Sequence, residues 1–145
     1  MSRIEISRQI EAPVSRAWEK LSDLASHDSW MRDAESVEFL SERRSGIGTR
    51  MRVPTRVGIF RTTDILEVVD WVDGQSIAVS HQGIFSGSGR FTLSGDEVET
   101  TITWTEDILF PWWVGGVVAA WFARPVLKLI WSGNLNRFGL QLSTE

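Results

Sequence analysis

A chain of 145 residues, 42% hydrophobic and 23% charged, is long enough to bury one core without staples, and residues 1–145 read as a single domain. A net charge of −4 argues against generic nucleic-acid binding. The absence of Cys excludes a disulfide framework and a cysteine nucleophile, and two His leave too few ligands for a usual zinc site. No metal or cofactor is expected, and the N-terminus MSRIEISRQI lacks the apolar core of a signal peptide, so the cytoplasm is the default location.

Residues 3–11 alternate Ile4 and Ile6 with polar neighbours, which predicts a strand. Ala12-Pro13 ends it, since proline suits a first helical turn where its missing N–H would be unpaired anyway. Val14, Ala17, Trp18, Leu21 and Leu24 then recur at helical spacing, for about three turns. The polar segment SHDSWMRDAES predicts a loop or a short second helix carrying Trp30. From Val37 onward the pattern has period two, broken at Gly46/Gly48, Gly58, Asp73-Gly74, Gly83 and Gly95-Asp96. This predicts an antiparallel meander with strands over 36–43, 48–56, 59–71, 76–82, 85–94 and 97–108. Pro54 belongs at an edge or bulge. The Gly-Thr-Arg and Gly-Ser-Gly stretches lack the lysine and the strand-to-helix setting of a phosphate loop, and read as bends in a curved sheet. Arg43, Arg44, Arg50, Arg52, Arg56 and Arg61 crowd together, but Asp64, Glu67, Asp70 and Asp73 follow, so cross-strand charge pairs are expected.

From Ile108 to Ala123 there is hardly a polar side chain, yet this run is shorter than the roughly 20 residues a transmembrane helix needs. Arg124 and Pro125 then interrupt it. A long terminal helix is predicted from Trp113 or Val114 to about Leu142, bending near Pro125. It carries two apolar stripes. One holds Val118, Phe122, Val126, Leu129, Gly133 and Leu140, and the other Leu127, Trp131, Leu135, Phe138 and Leu142. Such a helix touches two things at once, and which stripe would line a cavity stays open. If the Leu127, Trp131, Phe138 stripe faces solvent, it should be a contact surface, for a homodimer or for peripheral membrane contact.

Strand, short helices, six strands and a long helix make an α+β arrangement, a curved antiparallel sheet around the terminal helix with room for a small molecule between them. Along the chain run I-E-A-P-V-x-x-A-W at Ile10 to Trp18, S-D-L at Ser22 to Leu24 with Trp30 after it, and G-x-G-T-R at Gly46 to Arg50. T-x-T-W-T-E follows at Thr101 to Glu106, then the long helix with its internal R-P. In this order and spacing the chain resembles, over nearly its whole length, the SRPBCC or START-like superfamily, in particular its polyketide cyclase/dehydrase and lipid-transport-like branch. The resemblance implies a helix-grip fold with a hydrophobic cavity between sheet and helix. It does not imply one activity, because members include aromatase/cyclases, hydroxylase domains, lipid carriers and hormone receptors. In the cyclases, cavity Arg, Tyr or Asp side chains position a polyketide and move protons. This chain has no Tyr.

Period two places Val98, Thr100, Ile102, Trp104 and Glu106 on one face, and sets His81 beside Ile77 and Val79 on another inward face. Glu106 and His81 converging on an apolar pocket would suit general acid and base roles, with Asp64 as a third candidate. The plainer alternatives are a Glu at a wet cavity mouth and a hydrogen-bonded core His. The rest of the expected wall is Val53, Ile77, Val79, Phe91, Ile102, Trp104, Val118 and Phe122, with Trp30 near the entrance. The expected function is binding of a small hydrophobic or amphipathic ligand (a lipid, polyketide or aromatic metabolite) as carrier or sensor. The alternatives are a cyclase or dehydratase using Glu106 and His81, and an interaction protein acting through an apolar stripe of the terminal helix.

Overall fold

The computed structural model describes residues 2–83 and 85–143. Strand β1 (Ser2–Ile10) leads into helix α1 (Val14–Ser22) and a 3-10 turn (Leu24–Ser29). Strands β2 (Glu38–Phe39), β3 (Arg50–Val57), β4 (Phe60–Val72), β5 (Ser76–Gln82), β6 (Ser86–Gly95) and β7 (Thr100–Leu109) follow. A second 3-10 turn (Trp112–Val114) precedes helix α2 (Gly116–Ser143). The seven strands form one antiparallel sheet in the order β1-β7-β6-β5-β4-β3-β2. The meander is interrupted only where β1 returns beside β7, and α2 lies across β1 on the concave face. A Cβ on Gly139 would stand 3.4 Å from Ile10 Cγ1, so a glycine lets this helix settle close to the strand.

The period-two pattern is realised with its inward set buried: Ile4 and Ile6 on β1, Met51 and Val53 on β3, Ile102 and Trp104 on β7. Ile4 pairs with Glu106 and Ile6 with Trp104 across the β1–β7 ladder. The expected 36–43 strand shrinks to Glu38–Phe39, because the Ser41 hydroxyl donates to the Arg43 carbonyl and accepts the Arg50 N–H, turning the chain out of the ladder. A strand this short also leaves little open edge. β3 beyond the β2 pairing runs at that edge, which is where Pro54 sits. β7 starts at Thr100 rather than 97, because the Asp96 carboxylate caps the Val98 and Glu99 N–H groups at 2.8 and 3.0 Å in a tight turn. Val98 is therefore exposed and off the inward face.

Cross-strand charge pairs do form, Arg50 with Glu67 as expected and Arg52 with Glu38, while Arg61 pairs with Glu35 of the segment before β2. Pro13 stands just before α1 as its N-cap, with Ala17 and Leu21 buried one turn apart. The start of α2 differs from expectation. Pro111 and the 3-10 turn hold Trp112–Val114, and Gly115 at φ 104, a backbone conformation glycine accepts freely, re-aims the chain so that the helix begins at Gly116.

The two stripes of α2 separate cleanly. Trp131, Leu135, Phe138 and Leu142 are buried and Leu127 is half-buried, whereas Val118, Phe122, Val126, Leu129 and Leu140 are exposed. The Leu127, Trp131, Phe138 stripe is thus core and not a contact surface, because it is the one that closes the concave face. Asn134, fully buried in this stripe, gives its Nδ2–H to Asp33 Oδ1 at 2.7 Å and accepts the Arg32 N–H and the Arg137 guanidinium. Trp131 Nε1 donates to the other Asp33 oxygen, and Arg137 Nε donates to the Trp30 carbonyl. This network pairs the buried side chains of Asn134 and Trp131 and fastens α2 to the 30–34 segment, although the buried Trp30 Nε1–H has no partner among the described residues.

Candidate functional site

A cavity of about 160 Å³ lies between the concave face of the sheet and α2. Val53, Ile77, Val79, Phe91 and Trp104 line it as expected from alternation, and so do His81, Glu106 and Asp64. Leu127 and Trp131 close it from the helix side, and His27, Met31, Asp33 and Ala34 from the loop side. The remaining expected wall residues lie elsewhere. Val118 and Phe122 are exposed on the far side of α2, since the other stripe of that helix faces the sheet. Ile102 is fully buried in the core and does not reach the cavity. Trp30 is fully buried, not at an entrance. A 3-10 turn nearly repeats every three residues, so Leu24, His27 and Trp30 share one inward side. Trp30 packs edge-on against Phe138 at 5.0 Å and Phe91 at 5.9 Å, forming the layer behind the cavity wall.

Three of the polar groups that line the cavity are joined by hydrogen bonds. His81 Nε2 lies 2.8 Å from Glu106 Oε2, and Trp104 Nε1 donates to Glu106 Oε1 at 2.8 Å. Glu106 is buried at 5% exposure, so each carboxylate oxygen has its own partner where water is scarce. His81 is on β5 and Glu106 on β7, with β6 running between them. The carboxylate crosses that strand at Gly89, its cross-strand neighbour, where an added Cβ would lie 2.4 Å from Oε1. The Gly-Ser-Gly stretch, read as a bend, therefore also opens a window through which two strands share a hydrogen bond.

Burial alone would lower the pKa of His81, but the Glu106 hydrogen bond and the charges of Glu106 and Asp64 outweigh it, and the net shift is upward. Burial pushes the Asp64 carboxyl up, the Glu106 charge adds to this, and His81 and a hydrogen bond from Thr55 offset part of it. Burial pushes His27 down, so it is held neutral, donating Nε2–H to the Leu21 carbonyl at 2.6 Å. A protonated His81 that gives Nε2–H to Glu106 keeps its second ring proton, on Nδ1, for an acceptor such as a carbonyl or phenolate oxygen. Glu106 orients the ring, Trp104 orients Glu106, and Asp64 adds a carboxyl whose pKa burial holds above its ordinary value. Such a cluster can bind a polar head group on an otherwise apolar molecule, or move a proton on it.

Over residues 1–141 the chain matches the family model for polyketide cyclase/dehydrase and lipid transport. It belongs to that family. Solved structures agree on the fold. An aromatase/cyclase, Zhui, from a Streptomyces species is 21% identical with a TM-score of 0.78, covering 98% of this chain and 93% of its own. A conserved protein from Geobacillus kaustophilus is 19% identical with a TM-score of 0.80, over 99% and 96% of the two chains. A START superfamily protein from Mycobacterium smegmatis is 16% identical with a TM-score of 0.75, over 97% and 98%. No curated protein sequence matches the chain. At these identities the likeness shows the helix-grip fold alone, and no helix among the described residues is long and apolar enough to cross a membrane.

Proposed function

We propose that this protein, acting as one domain, binds a compact hydrophobic or amphipathic molecule between sheet and α2, as a carrier or sensor. The observation that carries this reading is a mostly apolar cavity with a hydrogen-bonded polar cluster, His81–Glu106–Trp104, in its wall. Its size narrows the ligand class. About 160 Å³ compares with an engineered cavity of roughly 150 Å³ that holds one benzene in another protein. A single-ring aromatic metabolite with one oxygen acceptor fits without rearrangement, whereas a polyketide or a long acyl chain needs the mouth to open. The setting we propose is cytoplasmic, on the sequence expectation alone.

Native mass spectrometry of the purified chain, followed by titration with substituted phenols and aromatic acids, tests the reading. Saturable quenching of tryptophan emission is expected, with Trp104→Ala weakening binding by roughly one to two decades, the worth of about 1.5–3 kcal/mol of aromatic burial. Val98→Ala, at an exposed turn, should leave it unchanged. Equal, non-saturable responses in all variants would mean there is no binding pocket.

The His81–Glu106 pair favours a second reading, a cyclase or dehydratase in which His81 transfers a proton to and from the bound molecule while Glu106 holds the ring. Turnover of a bound compound that is lost in both His81→Gln and Glu106→Gln would establish it. Saturable binding with no conversion leaves the carrier reading.

A further inference from the structure

Neighbouring antiparallel strands run in opposite directions, so the β3–β4 and β5–β6 hairpins and the exit of β7 lie at the same end of the sheet. This end carries exposed apolar side chains: Ile59 and Phe60 at the β3–β4 tip, and Trp112 and Trp113 after β7, with Trp112 87% exposed. On α2, about 100° per residue gathers Val118, Trp121, Phe122, Val126 and Leu129 into an arc of roughly 140°. All five are exposed, Trp121 at 71%. Isolated surface apolar residues are ordinary, but an array of indoles on one helix and the turn that feeds it marks an interaction surface.

Charge identifies what fits it. From Ile108 to Ser143 the chain carries Arg124, Lys128 and Arg137 and no acidic residue, although the net charge of the whole is −4. Arg124 and Lys128 are exposed and, by the same helical spacing, follow one edge of the apolar arc. A second copy docked by twofold symmetry would bring an identical cationic edge to this face, and no carboxylate in the segment would answer it. A bilayer with anionic head groups answers both features, because indoles settle at the boundary between head groups and acyl chains while cations meet phosphates. The cavity lining reaches the same end of the sheet, through Val57 of β3 and Phe85. Phe85 lines the cavity and packs at 5.0 Å against Phe110, which leads directly into Trp112 and Trp113.

We infer that this face docks peripherally on an anionic lipid bilayer, with the first half of α2 lying in the interface and the cavity mouth turned to the lipid. Docking stands on the surface residues alone, whereas passage of a ligand between bilayer and cavity rests also on the binding function proposed above. Flotation of the full chain with phosphatidylcholine vesicles, with or without one-third phosphatidylglycerol, tests it. Binding is expected only to the anionic vesicles, with tryptophan emission quenched by brominated lipid and affinity falling as salt rises. Trp112→Ser combined with Trp121→Ser should weaken it at least tenfold, and Arg124→Gln and Lys128→Gln about fivefold each, with unchanged circular dichroism. Trp104→Phe, in the cavity wall, should alter ligand binding and leave vesicle binding alone, so that failure of docking and failure of the cavity reading are told apart. Absence of vesicle binding, or equal binding by the double Trp variant, overturns the inference. A concentration-dependent dimer that Trp121→Ser abolishes, without vesicle binding, overturns it in favour of a second copy.

Discussion

Glu106 and its partners show how one side chain's placement depends on a neighbour that has none. The carboxylate reaches His81 only because Gly89 leaves the way across β6 clear. Gly89→Ala should force Glu106 off one or both of its hydrogen bonds and cost about 1–3 kcal/mol, read from denaturant unfolding. A cost under about 0.5 kcal/mol would show that the carboxylate relocates freely. The His81 pair also sets a pH dependence. A histidine whose folded pKa lies above the ordinary 6.5 adds stability that is fully present below that value and is lost as pH rises through the raised one. The stability difference between the wild type and His81→Gln should therefore be larger near pH 6 than near pH 9. His27 works in the opposite sense. Its lowered pKa makes its contribution complete above 6.5 and diminishing as pH falls, so only the difference between variants isolates His81. Alternation along β5 and β7 was enough to aim His81 and Glu106 inward from sequence. Their hydrogen bond was not legible, because it depends on the register of three strands joined by turns, and neither residue's local pattern encodes that register.

At the scale of the element, α2 is two helices' worth of apolar surface on one axis. Leu135→Ala, in the buried stripe, should cost about 2–5 kcal/mol, and Leu129→Ala, in the exposed one, less than about 0.5 kcal/mol, both read from chemical denaturation. Asn134→Ala should cost about 1–3 kcal/mol, because it strands the Asp33 carboxylate and the Arg32 N–H together. Both stripes were visible in the sequence, but their hydrophobicity could not rank them. The deciding residue is Asn134, whose partner Asp33 lies far off in the chain, so helix periodicity carries no trace of the pairing. Trp30 misled for a related reason. Its segment is polar by composition, and the three-residue repeat Leu24, His27, Trp30 belongs to a 3-10 turn rather than to the 3.6-residue period of an α-helix.

For the whole molecule, the meander and the long terminal helix followed from period and punctuation and the grip of sheet on helix from the family resemblance, whereas the return of β1 beside β7 and the size of the cavity depend on contacts between distant segments that no local pattern encodes. A ligand that binds only the folded state should stabilise it by about 2.7 kcal/mol at a hundredfold excess over Kd. For a chain of this length that is a Tm increase of roughly 5–10 °C, measurable by scanning calorimetry. Compact aromatic acids should reach this shift at once on mixing. Long-chain fatty acids should enter more slowly in stopped flow, because widening a cavity of about 160 Å³ means moving α2, which the Asp33 network holds to the loop beneath it.

The Trp104 and Trp131 rings are stacked at 5.1 Å with 26° between their planes, one borne by the sheet and the other by α2. Two identical chromophores so close and so nearly parallel couple their electronic transitions, and a coupled pair in a fixed chiral arrangement gives a paired positive and negative band in circular dichroism. The molecule thus carries an optical gauge in the wall of its own cavity. A guest that slides between the indoles, or a movement of α2 away from the sheet, would remove this pair's share of the couplet while the backbone signal stayed constant, and Trp131→Phe would remove the same share from the start, leaving that of Trp18–Trp71 and Trp30–Trp104.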